Sequence, residues 1–242
     1  MDISIKAVIF DWAWTLVDLV DEDDRRPFSR IFEFLRDRGI LLPDFDECYR
    51  TYQELFYPMI HDSQETCREA CFEFVLNFLL CRYSIDISGK TTVREILMAY
   101  YKEVYSVRKV FPDSIPTLKA LQASGIRMGI ISNTTNPGFM KDYEREQMGL
   151  DPFFEFSIYS SEFPYRKPHA SIFRLAIAKL GLLPKEIFYV GDSLHNDVAG
   201  AQGVGMLAAW LNRDQSALSG PIVPDFQFQT LTDLLDLIPI EV

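Results

Sequence analysis

Lys6-Ala-Val-Ile-Phe-Asp11-Trp-Ala13-Trp-Thr15-Leu16 is the stretch that decides the fold. An unbroken apolar run ends in a carboxylate, and a threonine follows four residues later. A parallel strand buried on both faces reads this way and delivers Asp11 at its C-terminal tip. In open α/β sheets, ligands sit beyond those tips. A second aspartate at position 13 would set a general acid beside a nucleophile. Ala13 stands there instead and can donate no proton.

Away from this stretch the chain has two textures. Residues 19–107 read only as helices: Phe28 to Arg38, Phe45 to Tyr57, Glu65 to Arg82 and Val93 to Val107 carry apolar residues at i, i+3, i+4 spacing. Pro27, Pro43 and Thr91-Thr92 mark starts, and Gly39 and Gly89 mark stops. Four helices in succession predict a small bundle. Residues 1–18 and 108–242 alternate strands with helices. Ile126 to Ile131, Phe154 to Tyr159, Ile187 to Val190 and Met206 to Leu211 are the strands; Asp113 to Ser124 and Ser171 to Leu180 are helices. That is the βαβ rhythm of a parallel sheet. The expected fold is α/β, a doubly wound, Rossmann-like parallel sheet from residues 1–18 and 108–242, with a helical domain of residues 19–107 inserted after the first strand.

Of the 242 residues, 48% are apolar, enough for a sizeable core. A net charge of −11 argues against nucleic acid or an anionic membrane surface as the main partner, while leaving a small phosphorylated metabolite open. The most apolar internal run, Phe72 to Leu80, is too short and too polar to span a bilayer. With no leader-like segment before the first strand, a cytoplasmic protein is expected, as monomer or homodimer. Cys48, Cys67, Cys71 and Cys81 form no C-x-x-C pair and are expected to be reduced and buried. Cys67 and Cys71 would share a helix face, but no histidine sits at ligand spacing beside them. The charge run from Asp21 to Arg26 reads as a solvated linker, with a substrate-facing Arg25 or Arg26 as the alternative.

Three strands end in residues suited to phosphate chemistry. The first delivers Asp11, Met128 to Ile131 delivers Ser132-Asn133-Thr134, and Ile187 to Val190 delivers Gly191-Asp192-Ser193 with Asp197 five residues past Asp192. Lys167 lies between the second and third. Asp11, Asp192 and Asp197 converging at neighbouring tips would repel one another and call for a cation, and all-oxygen ligation suits Mg²⁺. Each motif alone is also ordinary turn or cap chemistry; their order and strand-tip placement give them meaning together.

The pattern Asp11…Thr15, Ser132, Lys167, Gly191-Asp192…Asp197 resembles the four motifs of the haloacid dehalogenase superfamily of hydrolases, and the helical insertion resembles its first class of cap. The resemblance implies that Asp11 is a nucleophile forming an aspartyl intermediate and that Thr15 supports the following loop. It implies that Ser132 and Asn133 hold the phosphoryl group and that Lys167 balances charge between it and Asp11. Asp11, Asp192 and the backbone carbonyl of Ala13 would bind Mg²⁺, and Asp197 would orient Lys167 or a metal-bound water.

The chain departs from the family at Ala13, where most of its phosphatases carry Asp, and at Trp14, where Gly is frequent. Losing a general acid costs ~10²–10⁴-fold in rate. A good leaving group, a proton from a cap residue such as His61, or a different reaction would each answer the loss. Asp-Trp-Ala is similar to the first motif of phosphonoacetaldehyde hydrolases, yet these need a cap lysine for a Schiff base and the chain has no lysine between Lys6 and Lys90. Haloacid dehalogenation would not call for the metal aspartate Asp192. A weakly catalytic or non-catalytic binder of phosphometabolites is the remaining alternative. Trp12 and Trp14 read as packing beneath the cap, or as walls that narrow the pocket. His169 and His195 read as helix-start residues.

Overall fold

In the computed structural model, residues 5–20 and 23–237 are described. The first strand, β1 (Ala7–Phe10), is completely buried. Its side chains alternate between faces. Val8 and Phe10 enter one core with Leu118, Leu121 and Met128. Ala7 and Ile9 enter another with Ile172, Phe173 and Tyr189. After a short strand β2 (Val17–Asp18) the chain makes four helices: α1 (Arg25–Arg36), α2 (Phe45–Thr66), α3 (Phe72–Arg82) and α4 (Val93–Tyr105). It returns through β3 (Lys109–Val110), which pairs antiparallel with β2, Val17 facing Val110 and Asp18 facing Lys109. The outgoing and incoming chains are thereby tied together. Asp21 and Glu22 of the charge run, and both chain ends, lie outside the described residues.

The remaining elements are α5 (Ser114–Ala123), β4 (Arg127–Ser132), α6 (Gly138–Gln147), β5 (Phe156–Tyr159), α7 (Ala170–Leu180), β6 (Ile187–Gly191), a π-helical turn over Leu194–Ala199 running into the short α8 (Gly200–Gln202), β7 (Leu207–Leu211) and β8 (Phe226–Phe228). The sheet order is β5-β4-β1-β6-β7-β8, parallel throughout. Strands added after β1 go first to one side, β4 and β5, and then to the other, β6 to β8. The order reverses next to β1, so the tips of β4, β1 and β6 frame the crevice where α/β sheets bind ligands.

The helical segment has its own aromatic core. Phe28 of α1 stacks on Tyr52 of α2 with centroids 4.8 Å apart, and Phe72 of α3 lies 4.3 Å from Tyr100 of α4. Thr92 begins α4 with a reciprocal cap, its hydroxyl accepting from the Glu95 N–H while the Glu95 carboxylate accepts from the Thr92 N–H.

One predicted helix is corrected. The stretch from Glu65 to Arg82 is not continuous. α2 ends at Thr66, Cys67 takes a left-handed conformation (φ 55°), and α3 starts only at Phe72. Tertiary bonds hold this break: the Arg166 N–H donates to the Cys67 carbonyl at 2.8 Å and the Phe72 N–H to the Thr135 carbonyl at 3.0 Å. Cys67 and Cys71 therefore share no helix face. All four cysteines are free, and only Cys48 is buried, against the expectation for the set; Cys81 is exposed. No helix among the described residues is long and apolar enough to cross a membrane.

Candidate active site

Lys167 is the hub. It is 2% exposed, and its Nζ donates to Asp11 Oδ1 at 2.6 Å, Asp197 Oδ1 at 2.7 Å, the Ile131 carbonyl at 3.0 Å and the Tyr189 hydroxyl at 3.0 Å. These partners come from the ends of β1, β4 and β6 and from the turn after β6, so the sheet itself sets the spacing. The Asn133 amide fixes the other end of the lysine. Its Nδ2 donates to the Lys167 carbonyl at 3.1 Å and its Oδ1 accepts the Lys167 N–H at 2.8 Å. The Asn133 side chain is a clamp on Lys167, with one Nδ2 donor and the backbone N–H left over for the phosphoryl contact expected of it. The Ser132 side chain, at the tip of β4, makes no hydrogen bond to another described residue.

Asp197 is 1% exposed and fully engaged. Besides Lys167 it accepts from the Tyr189 hydroxyl at 3.1 Å and, through Oδ2, from the Ser193 N–H at 3.0 Å. Position 191 must be glycine for this approach, because a Cβ there would lie 2.3 Å from Asp197 Cγ. Tyr189 is the site residue that the sequence did not disclose. It sits two residues before Gly191 on the same face of β6, so strand periodicity aimed it at Asp197 all along.

Asp11, Asp192 and Asp197 each offer an oxygen within 4.8 Å of the others. Burial, reinforced by the charges of Asp11 and Asp197, pushes the Asp192 carboxyl up to about 8. Burial likewise raises Asp11, against the pull of Lys167. Burial opposes the charge on Lys167, but Asp11 and Asp197 together outweigh it and hold the ammonium above its ordinary range. One ammonium among three carboxylates leaves excess negative charge that a divalent cation would relieve. The donor set fits Mg²⁺: hard oxygens only, with the Asp192 carboxylate making no hydrogen bond to another described residue while its backbone carbonyl accepts from the Trp210 Nε1 at 2.8 Å. The turn after β1 also leaves a ligand available. Its bonds run from the Val17 N–H to the Trp12 carbonyl and from the Trp14 N–H to the Val17 carbonyl, bypassing the Ala13 carbonyl.

That turn explains the two unusual residues. Trp14 has φ 59°, a left-handed conformation that favours glycine and costs a side-chain-bearing residue ~1–2 kcal/mol. It is 44% exposed and lines a cleft with Asp192 and Trp210. Trp12 is buried, and its Nε1 donates to Glu144 Oε1 at 3.2 Å. Glu144, fully buried on α6, also accepts from Tyr101 of α4, from Arg108 at 3.0 and 3.1 Å, and from Lys141. Burial alone would raise Glu144, but Lys141 and Arg108 overcome it and hold its carboxyl down at about 2. This network joins the turn after β1, the helical segment and the chain returning into β3, and the sequence reading missed it. The Thr15 hydroxyl is buried without a hydrogen-bond partner among the described residues, while the Thr15 carbonyl accepts from Arg213 at 2.9 Å, a guanidinium that also grips Asp113.

His61 is exposed and pairs with Glu65 at 3.8 Å. His169 caps α7, its Nδ1 accepting from the Ser171 N–H, and stacks on Tyr165; His195 is exposed. Arg25 pairs with Asp46 at 2.5 Å and Arg26 with Glu103.

The strand order and the strand-tip cluster of Asp11, Lys167, Asp192 and Asp197 define a class of hydrolase. A family model for haloacid dehalogenase-like hydrolases matches residues 5–205, and the chain belongs to that family. It is similar to the glyceraldehyde 3-phosphate phosphatase of Methanopyrus kandleri, 31% identical over 97% of both chains. It is similar as well to the phosphoglycolate phosphatase of Salmonella typhimurium, 32% identical over 59% of this chain and 57% of that one. Among solved structures, a HAD phosphatase from Thermococcus onnurineus superposes with TM-score 0.67 at 28% identity, covering 98% of this chain and 99% of that chain.

Proposed function

We propose that the protein is a Mg²⁺-dependent phosphatase of a small phosphorylated metabolite, working through an aspartyl-phosphate on Asp11. The observation that carries this reading is the Lys167 ammonium held between Asp11 and Asp197, 2.6 and 2.7 Å away, at the tips of adjacent parallel strands. A carboxylate oxygen of Asp11 attacks phosphorus, and the bond from phosphorus to the alcohol oxygen breaks. Lys167 neutralises charge between Asp11 and the phosphoryl oxygens, while the Ser132 hydroxyl and the backbone N–H of Asn133 hold those oxygens. Water then attacks phosphorus, releasing inorganic phosphate and restoring Asp11. Asp11, Asp192 and the Ala13 carbonyl would hold Mg²⁺, which when bound supplies positive charge to the phosphoryl oxygens. Asp197 orients Lys167, Thr15 supports the loop, and residues 19–107 act as a cap on a core of 1–18 and 108–242. With Ala13 in the acid's place, the leaving oxygen takes its proton from elsewhere, and esters with acidic leaving groups react fastest. The test is hydrolysis of p-nitrophenyl phosphate with Mg²⁺ by the wild type and by Asp11→Asn. Activity surviving the substitution sinks the reading.

A further inference from the structure

A cavity of about 310 Å³ lies between α1, α2 and α4, with Thr135 and Asn136 of the loop after β4 in its wall. Those two residues are three and four positions past Ser132, so the chain places them within ~10–14 Å of the phosphoryl site. The volume suits a small organic group. Its charged lining is mostly paired. Arg26 meets Glu103, and Arg108 is buried against Glu144. Asp24 is different. Its carboxylate accepts from three tyrosine hydroxyls, Tyr49 at 2.5 Å, Tyr52 at 3.0 Å and Tyr57 at 2.8 Å, and has no cationic partner among the described residues. A carboxylate has about four acceptor sites, so three donors leave room for one more. A tyrosine oxygen that donates to Asp24 can still accept, although that of Tyr57 also takes the Gln53 Nε2 N–H at 3.5 Å, and Tyr52, Tyr57 and Asp24 all line the cavity. This wall is rich in acceptors and carries an uncompensated negative charge.

We infer that this cavity receives the alcohol part of the substrate, and that Asp24 and its tyrosines select phosphate esters whose alcohol bears hydroxyl groups and no carboxylate. The inference rests on the phosphatase reading above and narrows its substrate class. A ligand hydroxyl donates to Asp24 or to a tyrosine oxygen. A ligand carboxylate offers no donor and meets a like charge, a penalty of ~10-fold or more at the separations a cavity of this size allows.

The experiment compares kcat/KM for glycerol phosphate and phosphoglycerate, which share a three-carbon skeleton, with p-nitrophenyl phosphate as a common reference. The wild type is expected to favour glycerol phosphate over phosphoglycerate by ~10-fold or more. Asp24→Asn keeps the shape and removes the charge, so it should shrink that ratio ~10-fold, mainly by improving phosphoglycerate. Should Asp24→Asn fail to fold by circular dichroism, Tyr57→Phe decides, since its half-exposed ring tolerates the change. It should lower kcat/KM for glycerol phosphate relative to p-nitrophenyl phosphate, and an unchanged ratio overturns the inference. A wild type that hydrolyses p-nitrophenyl phosphate but treats the two esters alike overturns the inference alone, as does a ratio indifferent to Asp24→Asn. A wild type that hydrolyses none of the three brings down the phosphatase reading as well.

Discussion

Replacing Glu144 by Gln removes one charge from the network that ties Trp12, Tyr101, Arg108 and Lys141 together. The carboxyl is held at about 2 against an ordinary value of 4.5, by the adjoining cations working against burial. At about 1.36 kcal/mol per pH unit, that depression contributes about 3 kcal/mol of stability at pH 7. Because the folded value is the lower one, this stability is fully present above pH ~4.5 and is lost as pH falls toward 2. At pH 3.5 the same linkage leaves about 2 kcal/mol. Glu144→Gln also strands two buried cations, and breaking a buried pair from one side costs about 3–5 kcal/mol. Urea unfolding of wild type and variant at pH 7 and pH 3.5 measures both effects. The variant should lose about 3–5 kcal/mol at pH 7, and the gap should narrow by about 1 kcal/mol at pH 3.5. A gap that is absent, or that stays constant with pH, refutes the argument that ionised Glu144 holds the turn after β1 to the helical segment.

Three further outcomes are expected. Asp197→Asn leaves Lys167 with one carboxylate partner, and kcat on p-nitrophenyl phosphate should fall by ~10²-fold or more with little change in Tm; a kcat near wild type would remove Asp197 from the account. Ala13→Asp supplies the absent acid and should raise kcat on alkyl phosphates by ~10²-fold while aryl phosphates gain little; equal gains on both would show that leaving-group protonation is not limiting. Chelation with EDTA should abolish turnover and Mg²⁺ should restore it, whereas Asp192→Asn should raise the Mg²⁺ needed by ~10-fold or more; EDTA-resistant turnover would contradict a metal site at Asp192.

Five of the six sheet strands and the strand-tip residues were legible because their signal is local, whereas the three-residue edge strand β8 (Phe226–Phe228) is too short to carry one. An apolar run followed by a polar residue marks a buried parallel strand and its tip whatever the rest of the chain does. Asp11, Ser132 and Asp192 could be read that way, and Lys167 from its place among them. The break at Cys67 was not legible, because residues 66–71 contain neither Gly nor Pro. What interrupts the helix there is contact with distant loops. Glu69 takes Arg166 at 3.1 Å and Ser160 at 2.5 Å, and no local pattern encodes either partner. α6 escaped notice for a related reason. Its buried face carries Lys141 and Glu144, which look like surface residues until Trp12, Tyr101 and Arg108 close over them. Asp24 likewise read as part of a solvated charge run until three tyrosines of α2 converged on it.

The most direct test is to trap the covalent intermediate. Enzyme and p-nitrophenyl phosphate are mixed with Mg²⁺, quenched in acid within one turnover and digested, and the peptides are weighed. The account predicts one phosphoryl group on the peptide that carries Asp11, removed by base and absent from Asp11→Asn. A phosphoryl group on any other residue, or turnover by Asp11→Asn at the wild-type rate, would contradict it.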